Sequence, residues 1–436
     1  MKNTIGAIIV ASAAIVLLGA AQAPNTIVRS FSPATEQKLP NGVVIASQPS
    51  NDMPLIGAQI FLPAGLAQQA TDKAGVAAIA AALVLGTPVE GSTTLLDAVT
   101  NAGGSISYTL DPLDTRFYLE CRDADFPRLL HDFRMAVSSP DVSGIEVQRT
   151  KTLDAAQSMT QNPIEVAYAM VRQVNYSGNG FALPDQGSAL TLARLSRADI
   201  GTFATSYRRG SGTVVALEGA VNQAALDAAA REFGSFSAGA ANIAPAPKQV
   251  DRMHQVVAHR SVPAPWIAVA YQAPDQYSSD FATMLVIEAL LGGAGDVHSF
   301  AFSSAAPVPD DYVGAFYQYE VTPGSMIVFL GGDTANLDQS VRDLETGIAR
   351  LRGATLAAPM IDEAKRSALG DYYLGATTLS EQAWLLGRSV GSPEGLAFEN
   401  LIPQRILAVK ASDIQRVARH YFTKETIAIV LPAQAQ

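Results

Sequence analysis

The sequence predicts an α+β chain of two homologous domains, each a mostly antiparallel sheet packed with helices, joined by a linker. Three observations carry this. Short runs of strand-forming residues alternate with helical runs, and the strands fall in hairpin-like groups at residues 43–60 and 103–121. A phrase recurs late in each half. Asp199-Ile200, Phe203 and Tyr207 precede the strand 214–217, and Asp413-Ile414, Val417 and Tyr421 precede 428–431, always at an offset of 214 (413 − 199, 421 − 207, 428 − 214). Between the halves, residues 234–249 are rich in Gly, Ala, Ser and Pro, as in a linker.

Taken in order, the elements begin with an export signal. Lys2 precedes an uncharged apolar stretch at 5–20 that ends in small residues, and no basic stop-transfer flank follows. Cleavage after Ala21 is preferred to cleavage after Ala23, which would leave the restricted Pro24 first. The chain is therefore expected to be periplasmic or otherwise exported, with no membrane span in the mature part. Its parts would be a signal peptide (1–21), an N-terminal domain (25–236), a linker (237–250) and a C-terminal domain (251–436). Residues 43–46 and 56–62 read as strands bounded by Asn41-Gly42, Asn51-Asp52 and Pro63. Residues 74–85 read as a buried helix stopped at Gly86-Thr87, and 145–161 and 164–174 as further helices. Then come a strand at 214–218 and an amphipathic helix at 223–233. The second half restarts with a strand at 266–271 and a helix at 281–291 ending at Gly292-Gly293.

Composition excludes several classes of function. The 436 residues carry a formal charge of −10, with 48% hydrophobic and 16% charged residues. That is ample apolar material for large cores, and the acidic balance opposes nucleic-acid binding. Cys121 is the single cysteine, which rules out an internal disulfide and any multi-cysteine metal site, and it reads as a small buried hydrophobe. Five histidines leave little for a histidine-rich centre, and the five-residue spacing of His254 and His259 suits neither a helix face nor a strand face. The glycine-rich run before His298 has no following Gly-Lys-Ser/Thr, Asp275 and Asp310-Asp311 read as solvated loop carboxylates, and no G-x-S-x-G elbow is present.

A series of short phrases then falls into place. They are Leu39-Pro40-Asn41-Gly42-Val43-Val44, Ile60 to Gly65, Gly75-Val76-Ala77 with Gly86-Thr87, Gly103-Gly104-Ser105, Gln161-Asn162-Pro163, Leu195 to Ile200, Ala364-Lys365 to Gly370, and Leu386-Gly387-Arg388. In order and spacing, over residues 35–433, the chain resembles the pitrilysin/insulinase family of zinc peptidases, the inverzincins. The resemblance implies a clam-shell of two such domains.

It also implies a zinc site that this chain does not keep. Active members carry H-x-x-E-H on the helix after "G-L-A", two histidines binding zinc and the glutamate acting as base on zinc-bound water. The matching residues here are Ala78, Ala81 and Ala82, and the third ligand falls at Ala155, beside Asp154. Alanine offers no donor atom, so no catalytic and no metal-binding residue is expected, and no cofactor. Some members also place an arginine seven residues before a tyrosine in the C-terminal half. Residues 261–341 hold no Lys or Arg, so only the tyrosine has counterparts, among Tyr312, Phe316, Tyr317 and Tyr319. The family binds substrate as an added strand beside the zinc. The resemblance places that edge at Ser105, Ile106, Ser107, Tyr108 and Thr109, with bulky Tyr108 narrowing the cleft. The expected peptide-binding residues are thus Ser105, Ile106, Ser107, Tyr108, Tyr312, Tyr317 and Tyr319.

The expected function is a non-catalytic subunit of an exported heteromeric zinc metallopeptidase. It would shape the peptide chamber and stabilise a zinc-bearing partner of the same family. The alternative is a stand-alone peptide-binding or scaffold protein with no peptidase partner.

Overall fold

The alternation of strands and helices resolves into two sheets of matching topology. The computed structural model describes residues 33–240, 244–247, 253–262, 264–292, 312–331, 337–353 and 355–433. The expected signal segment, the glycine-rich run from Gly293 with His298, and Asp310-Asp311 lie outside them. In the first half the order is β1 (Thr35–Lys38), β2 (Val44–Pro49), β3 (Leu55–Leu62), α1 (Val76–Leu85), α2 (Leu95–Asn101), β4 (Ser105–Leu110), β5 (Thr115–Arg122), α3 (Phe126–Ser138), α4 (Ile145–Met159), α5 (Pro163–Asn175), α6 (Ala189–Arg194), α7 (Arg197–Thr205), β6 (Val214–Gly219) and α8 (Gln223–Gly234). The second half runs β7 (His254–Arg260), β8 (Trp266–Ala273), α9 (Phe281–Leu290), β9 (Tyr312–Gln318), β10 (Gly324–Gly331), α10 (Leu337–Leu351), α11 (Ala358–Leu374), α12 (Leu379–Ser389), α13 (Phe398–Ala408), α14 (Ala411–Tyr421) and β11 (Glu425–Pro432).

The first sheet has the order β1-β2-β6-β3-β5-β4 and the second β7-β11-β8-β10-β9. Beyond the extra β1 the two orders correspond strand for strand. Each has one parallel pair, β2 with β6 and β7 with β11, and the other neighbours are antiparallel. The late repeat at offset 214 is the unit α7–β6, recurring as α14–β11. In each half the helical layer lies on one sheet face. Ile56, Ile60, Phe117 and Val215 meet Ile79 and Phe133 there, and Ile267, Val269 and Val328 meet Phe281, Ile287 and Phe422. Alternate residues of a strand point to opposite faces, so every strand has a second face to cover.

That second face is covered by a helix of the other half. Ala46, Phe61 and Ala216 of the first sheet pack on Leu386 and Trp384 of α12, and the Gln59 side-chain amide donates to the Ser380 carbonyl at 3.2 Å. Reciprocally, Ala268, Ala270, Ile327, Ala428 and Val430 of the second sheet pack on Val166, Ala167 and Val171 of α5. At its end the Thr426 hydroxyl donates to Asn175 Oδ1 at 2.7 Å. The two exchanged helices are counterparts. Each carries an arginine as its tenth residue, Arg172 and Arg388, with an aromatic four residues earlier, Tyr168 and Trp384. Both arginines are buried and lie over rings: Arg172 is 4.1 Å from the Phe181 centroid and Arg388 is 4.6 Å from that of Trp384.

Two glycines explain phrases noted in the sequence. Gly75 sits at φ +91°, a left-handed conformation that starts α1 later than the expected helix, and a Cβ there would meet the Gln186 carbonyl oxygen at 2.8 Å. Gly387 lies inside α12, where a Cβ would come within 2.1 Å of the Phe61 ring. Its missing side chain lets α12 lie close against Phe61 of the first sheet. The Gly/Ala/Ser/Pro-rich segment is fastened to the first half at the residues described: Asn179 donates to the Pro245 carbonyl and Arg209 to that of Ala240. Cys121 is buried, and burial pushes its thiol up to about 12, as expected of a core hydrophobe. No helix among the described residues is long and apolar enough to cross a membrane.

Candidate peptide-binding edges

The matched zinc helix is α1, and its sequence VAAIAAALVL buries eight of ten residues. Alanine has the highest helix propensity and the smallest side chain that still packs, so the helix sinks into the core rather than presenting ligands. It lies against α4, α7 and β4. Ala78 and Ala81 are 1% and 0% exposed and Ala82 is half-buried, while Asp154 and Ala155 on α4 are exposed. Among the described residues, no group of three or more His, Cys, Asp or Glu is placed to hold a metal ion. The donor set does not fit zinc at this position. His254 and His259 both lie on β7, apart from α1.

The expected peptide-binding residues fall on two equivalent strands. Ser105, Ile106, Ser107 and Tyr108 lie on β4, the terminal strand of the first sheet, and β4 runs beside α1. Ser105 and Ser107 are exposed, Ile106 is 7% exposed and faces the core, and Tyr108 is half-buried with its ring 6.1 Å from that of Phe117. Burial raises the Tyr108 phenol above its ordinary value, so it stays a neutral hydroxyl. Only the inner edge of β4 is paired, to β5, and among the described residues no other strand lies beside it.

Tyr312 and Tyr317 lie on β9, the terminal strand of the second sheet, and Tyr319 follows directly. This edge differs from β4. The Tyr317 side chain is 1% exposed and its hydroxyl donates to the Pro274 carbonyl at 2.7 Å, so its ring serves the core. Its backbone N–H, on the outer edge of β9, donates to Glu288 Oε1 of α9 at 3.0 Å. The Tyr319 ring is half-buried and packs edge-on against Phe281 at 5.2 Å.

A cavity of about 960 Å³ opens at the β9 edge. Its walls come from α5, α9, α11, α12 and the second sheet, and include Tyr168, Trp266, Phe316, Phe329 and Trp384. Glu288 and Asp371 also line it, and burial, then the charges of Asp371 and Glu320, push the Glu288 carboxyl up to about 7. Arg388 at its side is occupied by Glu399, with Nε 2.7 Å from Oε1 and a second nitrogen 2.9 Å from Oε2, and the Tyr372 hydroxyl also donates to Glu399. Sequence reasoning passes over this cavity. Its signal is a lone carboxylate, Glu288, in the apolar run FATMLVIEAL.

No protein-family profile matches the chain. Among solved structures it superposes on a protease from Helicobacter pylori with a TM-score of 0.81 at 19% identity, over 92% of this chain and 100% of that one. A peptidase M16 inactive domain from Pseudomonas fluorescens gives a TM-score of 0.80 at 16% identity, over 93% and 99%.

The chain has the M16 peptidase fold.

A putative M16-like peptidase from Alicyclobacillus acidocaldarius agrees, with a TM-score of 0.74 at 13% identity over 93% and 100%. By sequence the M16-like chain is 22% identical to human cytochrome b-c1 complex subunit 1, mitochondrial, over 92% of its own length and 86% of the relative. The rat protein of that name is also 22% identical, over 96% and 90%. The pitrilysin/insulinase resemblance carried by the short phrases is borne out, as is the α+β architecture of two matching halves. The chain keeps the M16-like fold and lacks the H-x-x-E-H motif.

Proposed function

We propose that this chain is the non-catalytic subunit of an exported heteromeric zinc metallopeptidase, in which it shapes the peptide chamber and stabilises a zinc-bearing partner of the same fold. One observation carries the reading: the M16 fold and its β4 edge are kept, while α1 and α4 offer alanine at every matched ligand position. An extended peptide laid along β4 would gain backbone hydrogen bonds there without meeting a nucleophile. A subunit of a larger complex among its relatives supports the same reading. Co-purification from the native exported fraction tests it, with zinc content and peptide cleavage measured with and without whatever is captured. A zinc-containing relative near one-to-one, with cleavage requiring both chains, is the expected result. Elution alone, zinc-free and inactive, would overturn it.

The cavity at β9 favours a second reading. It is an aromatic-lined concavity of about 960 Å³ remote from the matched zinc helix, as a stand-alone peptide-binding protein would offer. Saturable peptide binding by the isolated chain, without turnover, distinguishes this reading from the first.

A further inference from the structure

We propose that the cavity at the β9 edge is a side-chain pocket for a basic residue, lysine or arginine, of a bound peptide. The inference rests on the peptide-binding reading above and adds the chemistry of what is read. At about 960 Å³ the cavity is large enough for a long side chain and the backbone on either side of it. Its walls are aromatic: Tyr168 and Phe316 meet edge-to-face at 5.9 Å, and Trp266 lies 6.3 Å from Phe329. Such faces suit the apolar stem of a lysine or arginine and attract its charged head.

The charge in the cavity is unbalanced. Glu165, Glu288 and Asp371 line it, the charge of Asp371 disfavours ionisation of Glu288, and none of the three forms an ion pair among the described residues. Among the described residues, Arg388 is the one cationic side chain in the lining, and Glu399 neutralises it through two hydrogen bonds. Glu288 and Asp371, in one cavity with these aromatic side chains, hold an acceptor site that a guanidinium or ammonium group would satisfy. The backbone supplies the second constraint. Because Glu288 Oε1 already takes the outer Tyr317 N–H, a peptide at this end of β9 cannot pair with that group, so recognition there falls to the side chain.

The test uses the full chain and two blocked peptides of alanine and valine, one with a central arginine and the other with its uncharged isostere citrulline. Binding is followed by calorimetry, with agmatine as a free guanidinium probe. The arginine peptide should bind more tightly by about tenfold or more, the worth of a charge-assisted hydrogen bond. Glu288→Gln with Asp371→Asn should abolish that preference. Glutamine keeps the acceptor for the Tyr317 N–H, and a melting temperature no lower than the parent's would show the variant folded. Equal binding of the two peptides, or a preference that survives the double substitution, overturns the pocket while leaving peptide binding in place. If agmatine binds in a Glu288-dependent way and neither peptide does, the cation site holds as a small-molecule site and the peptide reading falls. Binding of none of the three overturns both.

Discussion

Gly387 shows how much a single hydrogen atom can hold. A methyl group at this position would overlap the Phe61 ring, which is itself buried on β3, so Gly387→Ala must push α12 off the first sheet or bend the ring. Overpacking of this kind costs about 1–3 kcal/mol. Thermal melting should show the loss, and adding Phe61→Ala should recover part of it, giving a coupling energy in a double-mutant cycle. Glu218 carries a different cost. It is 2% exposed on β6, its Oε1 finds no partner among the described residues, and burial pushes its carboxyl up to about 8. A carboxyl whose folded pKa lies above its unfolded value keeps a proton in the folded state that it loses on unfolding. Stability therefore falls as pH rises from the ordinary carboxylate range to about 8, and the penalty is constant above that. Glu218→Gln should be more stable than the parent above pH 8, with the two converging in acid. The gap has an upper bound of about 1.4 kcal/mol for each pH unit by which the folded carboxyl's pKa exceeds the unfolded one. Denaturant melts across pH check this, and a gap that does not depend on pH would sink it.

At the level of elements, α1 decides what chemistry the chain can carry. It has no room for the ligands its position implies, because Ala78 and Ala81 are buried against neighbouring helices. Restoring the motif by Ala78→His, Ala81→Glu, Ala82→His and Ala155→Glu should lower the melting temperature and leave zinc far below one per chain, as measured by metal analysis. Stoichiometric zinc with an unchanged melt would show the site to be latent instead. The strands and helices are largely legible in the sequence, because β3, α1 and β8 are apolar runs ended by Gly or Pro and the repeat fixes α7–β6 against α14–β11. The helix α10 escapes that reading, although Val341, Leu344, Ile348 and Leu351 follow helical spacing. The β4 edge is legible through its family phrase. The β9 cavity is not, since its walls come from separated stretches that only packing brings together. Tyr317, expected as a peptide contact, has its ring in the core, and it also lines the β9 cavity, as does Tyr319.

For the whole molecule, the exchange of α5 and α12 matters most. Each sheet has its second face sealed by a helix of the other half, through Val166, Ala167 and Val171 on one side and Leu386 on the other. Neither half can bury its strands alone, so the halves should melt in one cooperative transition. Residues 31–236 and 251–436 expressed separately should be insoluble or expanded, and co-expressed should pair into a folded complex. Size exclusion and near-ultraviolet circular dichroism check this, and two independently folded halves would contradict it. The peptide bonds between α8 and β7 are then not what keeps the halves together. Nicked there by a protease, the molecule would still travel as one body, and two bands on a denaturing gel would be the only sign that it had been cut.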